Sequence, residues 1–368
     1  MPAPLLSLRA LNRATLDRQL LLRRANLTAL EAIKHLAGLQ AQAPFPPYYA
    51  LHARLDGFRQ DDLARLLLGR EVVRIVLMRG TVHLVTAADA LAWRPLVQVL
   101  MDRDLATNAQ HSREIAGLDH TEVAQAARDL LAGRPHTGAG LGEELGRRWP
   151  DRAANSLTHV ARGLLPLVQI PPRGVWGRSG QATYVTAEDW LDAPLDPRPS
   201  PGNLMRRYLA AFGPATVRDA QAWSGLTRLG EVAERLRPEL RTFRDESGRE
   251  LFDLPGAPRP GADTPAPPRL LGPFDQTLLS YADRTRVISD DHRKRVITQN
   301  GLVKGTVLLD GYVRGSWESQ VRRKVATLRV TPFERFTKRD MASVESAGRR
   351  LLRWAEADAE VREVRFLP

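Results

Sequence analysis

Apolar residues recur at helical spacing through the first third of the chain. Leu30, Ile33, Leu36 and Ala37 fall on one helical face, and residues 58–68 repeat the period. Thr28-Ala29-Leu30-Glu31 reads as a capping box at the start of the first of these helices. The period then changes to that of strands. Residues 72–78 and 81–85 are β-branched runs split by Arg79-Gly80, a hairpin signal, and Thr86 to Asp89 caps a new helix. The order repeats, with helices over 139–148 and 155–165 joined by Trp149-Pro150-Asp151, then short strands over 167–170 and 182–185. A third round has helices over 203–212, 216–223 and 226–236 with a Ser224-Gly225 turn, and strands over 240–244 and 250–254.

Helix, helix, short turn, helix and two-stranded hairpin is the winged helix-turn-helix plan. A proline-rich spacer over 255–268 precedes strands over 303–309, 312–317 and 324–330, with the tight turn Asp310-Gly311 between the first two. A helix over 338–355 closes the pattern. The expected fold class is therefore α+β. Three tandem winged helix-turn-helix domains are expected at 1–115, 116–198 and 199–256, with a strand-rich subdomain and closing helix at 257–368.

Gln40-Ala41-Gln42 stands where the first capped helix runs toward Pro44-Phe45-Pro46-Pro47. A residue before proline is pushed out of the helical region, so the chain should unwind near Ala43. Residues two apart point to opposite sides of a helix but share a side in extended chain. If unwinding begins at Gln40, both carboxamides project together and can hold a water or a ligand. On spacing alone, two solvated residues near a helix end are the commoner case, and the pair gains weight only from what surrounds it.

Composition narrows the chemistry. At 368 residues, 43% apolar and 26% charged, the chain describes an ordinary multidomain globular protein. The net charge of +12 comes almost wholly from arginine, because Lys34, Lys294, Lys304, Lys324 and Lys338 are its only lysines. A GC-rich genome explains arginine over lysine but not the surplus of cations over carboxylates, which suggests a polyanionic partner, nucleic acid first. With no cysteine, disulfides, iron–sulfur clusters and thiolate zinc sites are excluded. The eight histidines show no HExxH spacing, and the chain has no P-loop motif, so no metal and no cofactor are expected. Neither a signal-peptide core nor a membrane span is legible, so a cytoplasmic protein is expected.

Wings lie along phosphates when recognition helices enter a groove. Candidate DNA-contacting cations are Arg79 on the first hairpin, Arg173 and Arg178 on the second, and Arg244 on the third. Arg286, Arg293, Lys294 and Arg295 form the densest basic stretch, and Arg322 and Arg323 follow. His83, within an apolar strand, and Trp176, near a wing tip, are candidate supports of the site; Trp176 either stacks on a base or packs under its own loop. Asp283 beside Arg284 reads as half of a local ion pair.

The chain resembles the AlkZ-type winged-helix DNA glycosylases over essentially its whole length. The strongest matches are Gly38-Leu39-Gln40-Ala41-Gln42 with Pro46-Pro47-Tyr48, and Met78-Arg79-Gly80-Thr81-Val82-His83-Leu84-Val85. Weaker ones are Phe274-Asp275 through Tyr281 to Val287, and Val307 to Gly311 through Gly315-Ser316-Trp317. That family carries a Gln-x-Gln or Gln-x-Asp pair. Glutamine at both places is similar to the branch that unhooks interstrand crosslinks formed by natural alkylating agents. Ala41 departs from the larger apolar residue common between the pair.

The resemblance implies three winged helices in a C-shape around a basic concave face, catalytic roles for Gln40 and Gln42, and duplex DNA with alkylated or crosslinked purines as partner. A monomeric, monofunctional enzyme is expected, because Lys34, the one lysine before Lys294, sits well around the helix from Gln40 and is poorly placed for a Schiff base. The competing expectations are a non-enzymatic winged-helix regulator and a drug-sequestering resistance protein.

Overall fold

In the computed structural model, residues 3–368 are described. The helices and hairpins stand close to the ranges that periodicity predicts. Ala29–His35 carries the expected capping box, with Thr28 N donating to Glu31 Oε2 at 2.8 Å and Glu31 N to Thr28 Oγ1 at 3.2 Å. That helix ends earlier than the proline run suggests. Ala37 (φ 56°) and Gly38 (φ 85°) turn left-handed, and Gly38 N closes the helix on Ile33 O at 3.0 Å. Glycine is required here, since a Cβ on Gly38 would meet Val85 Cγ1 at 2.6 Å and Leu84 O at 3.1 Å. After a bend over 42–45, Pro46-Pro47 occupy the first turn of an unexpected helix, Pro46–Arg54.

The first two hairpins do not stand as separate wings. Leu39–Gln40, Val82–Thr86, Val72–Val76, Leu167–Gln169, Thr183–Thr186 and His136–Thr137 pair in that order into one six-stranded sheet, joined by Arg74 opposite Gln169 and Ile75 opposite Val168. The third hairpin, Arg241–Asp245 with Glu250–Asp253, pairs separately with Leu5–Leu6. A five-stranded sheet forms the rest. Gly305–Leu309, Tyr312–Arg322 and Val325–Pro332 make its centre, with Arg269–Leu271 on one edge and Val361–Phe366 in parallel on the other. Sequence reading missed that last strand, where Arg362 stands on the side of Val364 and Phe366 and cuts the apolar alternation short.

One face of the six-stranded sheet, through Val73, Ile75 and Val85, shares a core with Tyr208, Phe212 and Trp223 of the helices Pro201–Phe212 and Val217–Ser224. The other face, through Val72, Val82 and Leu84, packs on Leu39, Ala41, Tyr48 and Leu51. The segment bearing the two glutamines thus runs along the sheet edge with its apolar residues in one core and its polar ones turned toward the other side.

The weaker sequence matches are structural braces. Asp275 takes a bidentate pair of hydrogen bonds from buried Arg54 at 2.7 and 2.8 Å, and Trp317 Nε1 donates to Leu271 O at 2.8 Å. Although burial pushes the Asp275 carboxyl up, Arg54 and Thr277 hold it below the usual carboxylate range. Arg18 and Asp253 form a second buried bidentate pair at 2.7 and 2.8 Å.

Candidate active site

Leu39–Gln40 is a two-residue edge strand, with Gln40 opposite His83, and Ala41 N continues the ladder to Val82 O at 2.8 Å. Leu39 and Ala41 are buried, Gln40 is half-buried and Gln42 is exposed. Both carboxamides reach the same hairpin: Gln40, in the strand, meets Arg79, and Gln42, in the bend beyond the strand, meets Val82. Each is anchored by its oxygen. Arg79 Nη2 donates to Gln40 Oε1 at 2.7 Å, and Val82 N donates to Gln42 Oε1 at 3.1 Å. A guanidinium and a backbone N–H only donate, so these partners set which end of each amide is oxygen. One lone pair on each oxygen and both NH₂ groups are left without a protein partner among the described residues.

Arg79 reaches Gln40 because the hairpin is tightly turned. Met78–Gly80 is a single 3₁₀ turn with Arg79 at φ 56° and Gly80 at φ 68°. The other arm of the Arg79 fork donates to the carbonyl of Trp223, at the end of the helix Val217–Ser224. That helix end fits closely against the hairpin, since a Cβ on Gly225 (φ 82°) would stand 3.2 Å from Arg79 Cα and 3.0 Å from Leu100 Cδ1. A wing cation exposed to phosphate is therefore not what Arg79 is. Its guanidinium ties Gln40 to the third helical group, and burial first, then nearby Arg284, pushes its pKa down to about 10.

A second arginine secures the same segment from below. Arg74, 1% exposed within the run Val72–Val76, donates to the Ala41 carbonyl between the two glutamines at 2.8 Å. The signal was present in the sequence as a lone cation inside a β-branched run, and it went unread. Beneath it, Tyr48 OH donates to Gly174 O at 2.8 Å and accepts from Trp176 N at 3.0 Å. Trp176 sits among Phe45, Tyr48, Tyr49 and Trp354 with ring centroids 5.1–5.8 Å away, so it packs under its loop, against the chain that follows Gln42, rather than standing free to stack on a base.

His83, 3% exposed, keeps Nδ1 at 2.9 Å from Thr81 O. Burial, reinforced by Arg79, holds its pKa down to about 3. It is a neutral neighbour of Gln40.

The expected DNA-contacting cations divide. Arg178, Arg244, Arg322 and Arg323 are exposed, the last two at the Tyr312–Arg322 hairpin turn. Arg173 donates to Gly180 O at 3.0 Å. Lys294 is paired with Asp291 at 3.2 Å, while Arg295 stacks on Phe333. Arg286 is 5% exposed, donates to Pro214 O at 2.8 Å and lies 4.2 Å over Tyr281, so its charge braces the interior and is withdrawn from any phosphate.

A cleft of about 690 Å³ opens beside Arg284, lined by Arg218, Arg249 and Arg293 as well as Asp219 and Asp283. Asp283 pairs with Arg249 at 2.8 Å instead of its sequence neighbour. Arg218 went unread in the sequence because it is a single arginine at a helix start. Among the described residues, no three His, Asp or Glu side chains are grouped to hold a metal ion.

The model of the DNA glycosylase AlkZ-like family matches residues 33–354, and the chain belongs to that family. It is 26% identical over 350 residues to an interstrand DNA cross-link repair glycosylase of Streptomyces sahachiroi, covering 86% of this chain and 88% of that protein. The solved structure of the Streptomyces sahachiroi DNA glycosylase AlkZ superposes with a TM-score of 0.79 at 23% identity, over 98% of this chain and 100% of that one; this likeness establishes the mixed α+β fold.

Proposed function

We propose that this glycosylase hydrolyses the N-glycosidic bond of N7-alkylated purines in duplex DNA, including purines tied into interstrand crosslinks, with a water positioned by Gln40 and Gln42. The carrying observation is that the two carboxamides, two residues apart at the end of one edge strand, each have the oxygen anchored by a donor of the same hairpin. The crosslink as substrate rests on the likeness to the interstrand DNA cross-link repair glycosylase of Streptomyces sahachiroi.

A purine alkylated at N7 already carries positive charge. When its bond to C1′ breaks, the electron pair neutralises the base, so no strong general acid is needed. The remaining work is to bring a water to C1′ and to stabilise the sugar cation while it forms. Gln42, the more exposed, orients the water through the free lone pair of its oxygen; Gln40 faces the sugar. The C1′–O bond forms and the water's proton passes to solvent. Arg79 and Arg74 are positioning residues.

The three helix–hairpin units (1–115, 116–198 and 199–256) act as winged helices around the duplex in a C-shape, with 257–368 closing the frame, and the protein works as a monomer. Arg218, Arg249 and Arg284 then lie on the path of the phosphates that approach Gln40.

The test is single-turnover release of alkali-labile sites from duplex carrying N7-methylguanine or a crosslink. Gln40→Ala and Gln42→Ala should each slow excision by about 10²–10³-fold, the cost of removing one preorganised polar group, with duplex affinity little changed. A double variant that cuts at the wild-type rate overturns the assignment. Wild-type protein that binds one sequence and leaves alkylated DNA intact would instead be a regulator.

A further inference from the structure

Four cationic or basic side chains from separate parts of the chain meet at a small surface pocket that the glycosylase site does not use. Arg24 comes from the loop before the first capped helix, His52 from Pro46–Arg54, Arg269 from the strand Arg269–Leu271, and Arg350 from the long helix Lys338–Ala355. Among the described residues, none of the three arginines has a carboxylate within 4.0 Å, while most other clustered arginines do. Arg24 and Arg350 make no side-chain hydrogen bond among the described residues. Arg269 makes one long contact, to Leu22 O at 3.4 Å, and its Nε is buried without an acceptor.

The charges oppose one another. Burial first, then Arg24 and Arg350, pushes Arg269 down to about 10, and Arg24 is lowered by burial and by Arg350. Asp56 is the one carboxylate acting on Arg24, and none acts on Arg269. His52 cannot relieve the site, since its ring is 8% exposed, stacked 4.3 Å from Trp354, and holds no negative charge. Arg24 and Arg269 are half-buried and Arg350 is exposed at the rim, so the donor left unmet inside is Arg269 Nε, which folding tolerates poorly unless an acceptor fills the place. The accessible space is about 10 Å³, room for one oxygen-sized group with the rest of a ligand outside.

We infer that Arg24, Arg269 and Arg350 form a binding site for a tetrahedral phosphoryl oxyanion, one oxygen of which enters the pocket beside His52. Guanidinium forks match phosphate oxygens in pairs, and three of them from three segments would pin the closing helix Lys338–Ala355 to the strand Arg269–Leu271 and to the loop before Ala29–His35. The chemistry is shared by a free phosphate and by a phosphodiester of DNA.

Two measurements separate these sources, using the full chain and the variants Arg350→Gln and Arg269→Gln, with Arg353→Gln as a control on the same helix. In the first, inorganic phosphate is compared with chloride at matched ionic strength by thermal melting. If a free anion is the ligand, phosphate raises the wild-type and Arg353→Gln midpoints by about 1–2 °C at several times the Kd. Arg350→Gln and Arg269→Gln show no such rise, and Arg350→Gln melts no lower than wild type without phosphate because repulsion is relieved. In the second, affinity for undamaged duplex is followed against salt. If a phosphodiester is the ligand, Arg350→Gln lowers the log–log slope by about 0.9, and Arg353→Gln does not. Equal melting in phosphate and chloride together with an unchanged slope overturns the site, as does a phosphate response that survives in both pocket variants.

Discussion

Arg79 is the residue on which the geometry of the candidate site turns. One fork spans two acceptors, the amide oxygen of Gln40 and the carbonyl of Trp223. Lysine offers a single point charge and cannot hold both in fixed relation. Arg79→Lys and Arg79→Ala should therefore each lower the single-turnover rate by about 10–100-fold with KM little changed, as expected when a reacting geometry loosens by about 1 Å. A variant whose KM alone rises would place Arg79 on phosphate after all. His83 makes a prediction of the opposite kind. With its pKa held down to about 3, it stays neutral through the physiological range, so excision should be nearly level between pH 6 and 8. A step in that window that vanishes in His83→Gln would count against the water-positioning scheme.

The same two buried histidines bear on stability. His83 and His52 both sit at about 3 in the folded chain, below the ordinary 6.5. The unfolded chain therefore takes up these protons first. Their contribution is fully present above about pH 6.5 and is lost as pH falls toward 3. Melting temperature should hold steady above pH 6.5 and decline below it, with a shallower decline in His52→Phe.

At the scale of elements, the first hairpin works as a connector between two helical groups. Gly225 allows this, because any side chain there would press on the backbone of Arg79. Gly225→Val forces a strained φ and a clash together. It should lower both thermal stability and excision rate while leaving the capped helix Ala29–His35 unaffected. Hydrogen exchange at Leu77 to Thr81 is the direct readout; unchanged protection there would mean that the turn is held by its own strands alone.

Fusion of the first two hairpins into one sheet also explains why helix and strand ranges were legible while their assembly was not. Each hairpin reads correctly from its own β-branched runs. The pairing of Arg74 with Gln169 joins residues 95 positions apart, and no local pattern encodes it. The early helix stop was legible in Gly38 and was overlooked in favour of the prolines.

At the scale of the whole molecule, part of the arginine surplus is structural. Arg13, Arg18, Arg54 and Arg74 are each no more than 1% exposed, so net charge overstates what faces a polyanion. Two of them complete buried bidentate pairs that bind the helices Leu8–Arg18 and Pro46–Arg54 to distant segments. Removing one partner leaves an uncompensated buried charge, which costs roughly 3–5 kcal/mol. Asp275→Ala should accordingly lower the melting midpoint by several degrees, with the largest loss of protection in Pro46–Arg54.

The amino-acid order by itself determined the helices, the hairpins, the glutamine pair and the basic character, because periodicity, caps, turn residues and charge act over a few neighbours. Only the tertiary structure decided which arginines are free and which are buried, that Arg74 and Arg79 grip the glutamine segment from two sides, and that Trp176 is packed away. Those outcomes depend on contacts between segments far apart in the chain, where desolvation and the direction of each side chain are set by partners that no local pattern names.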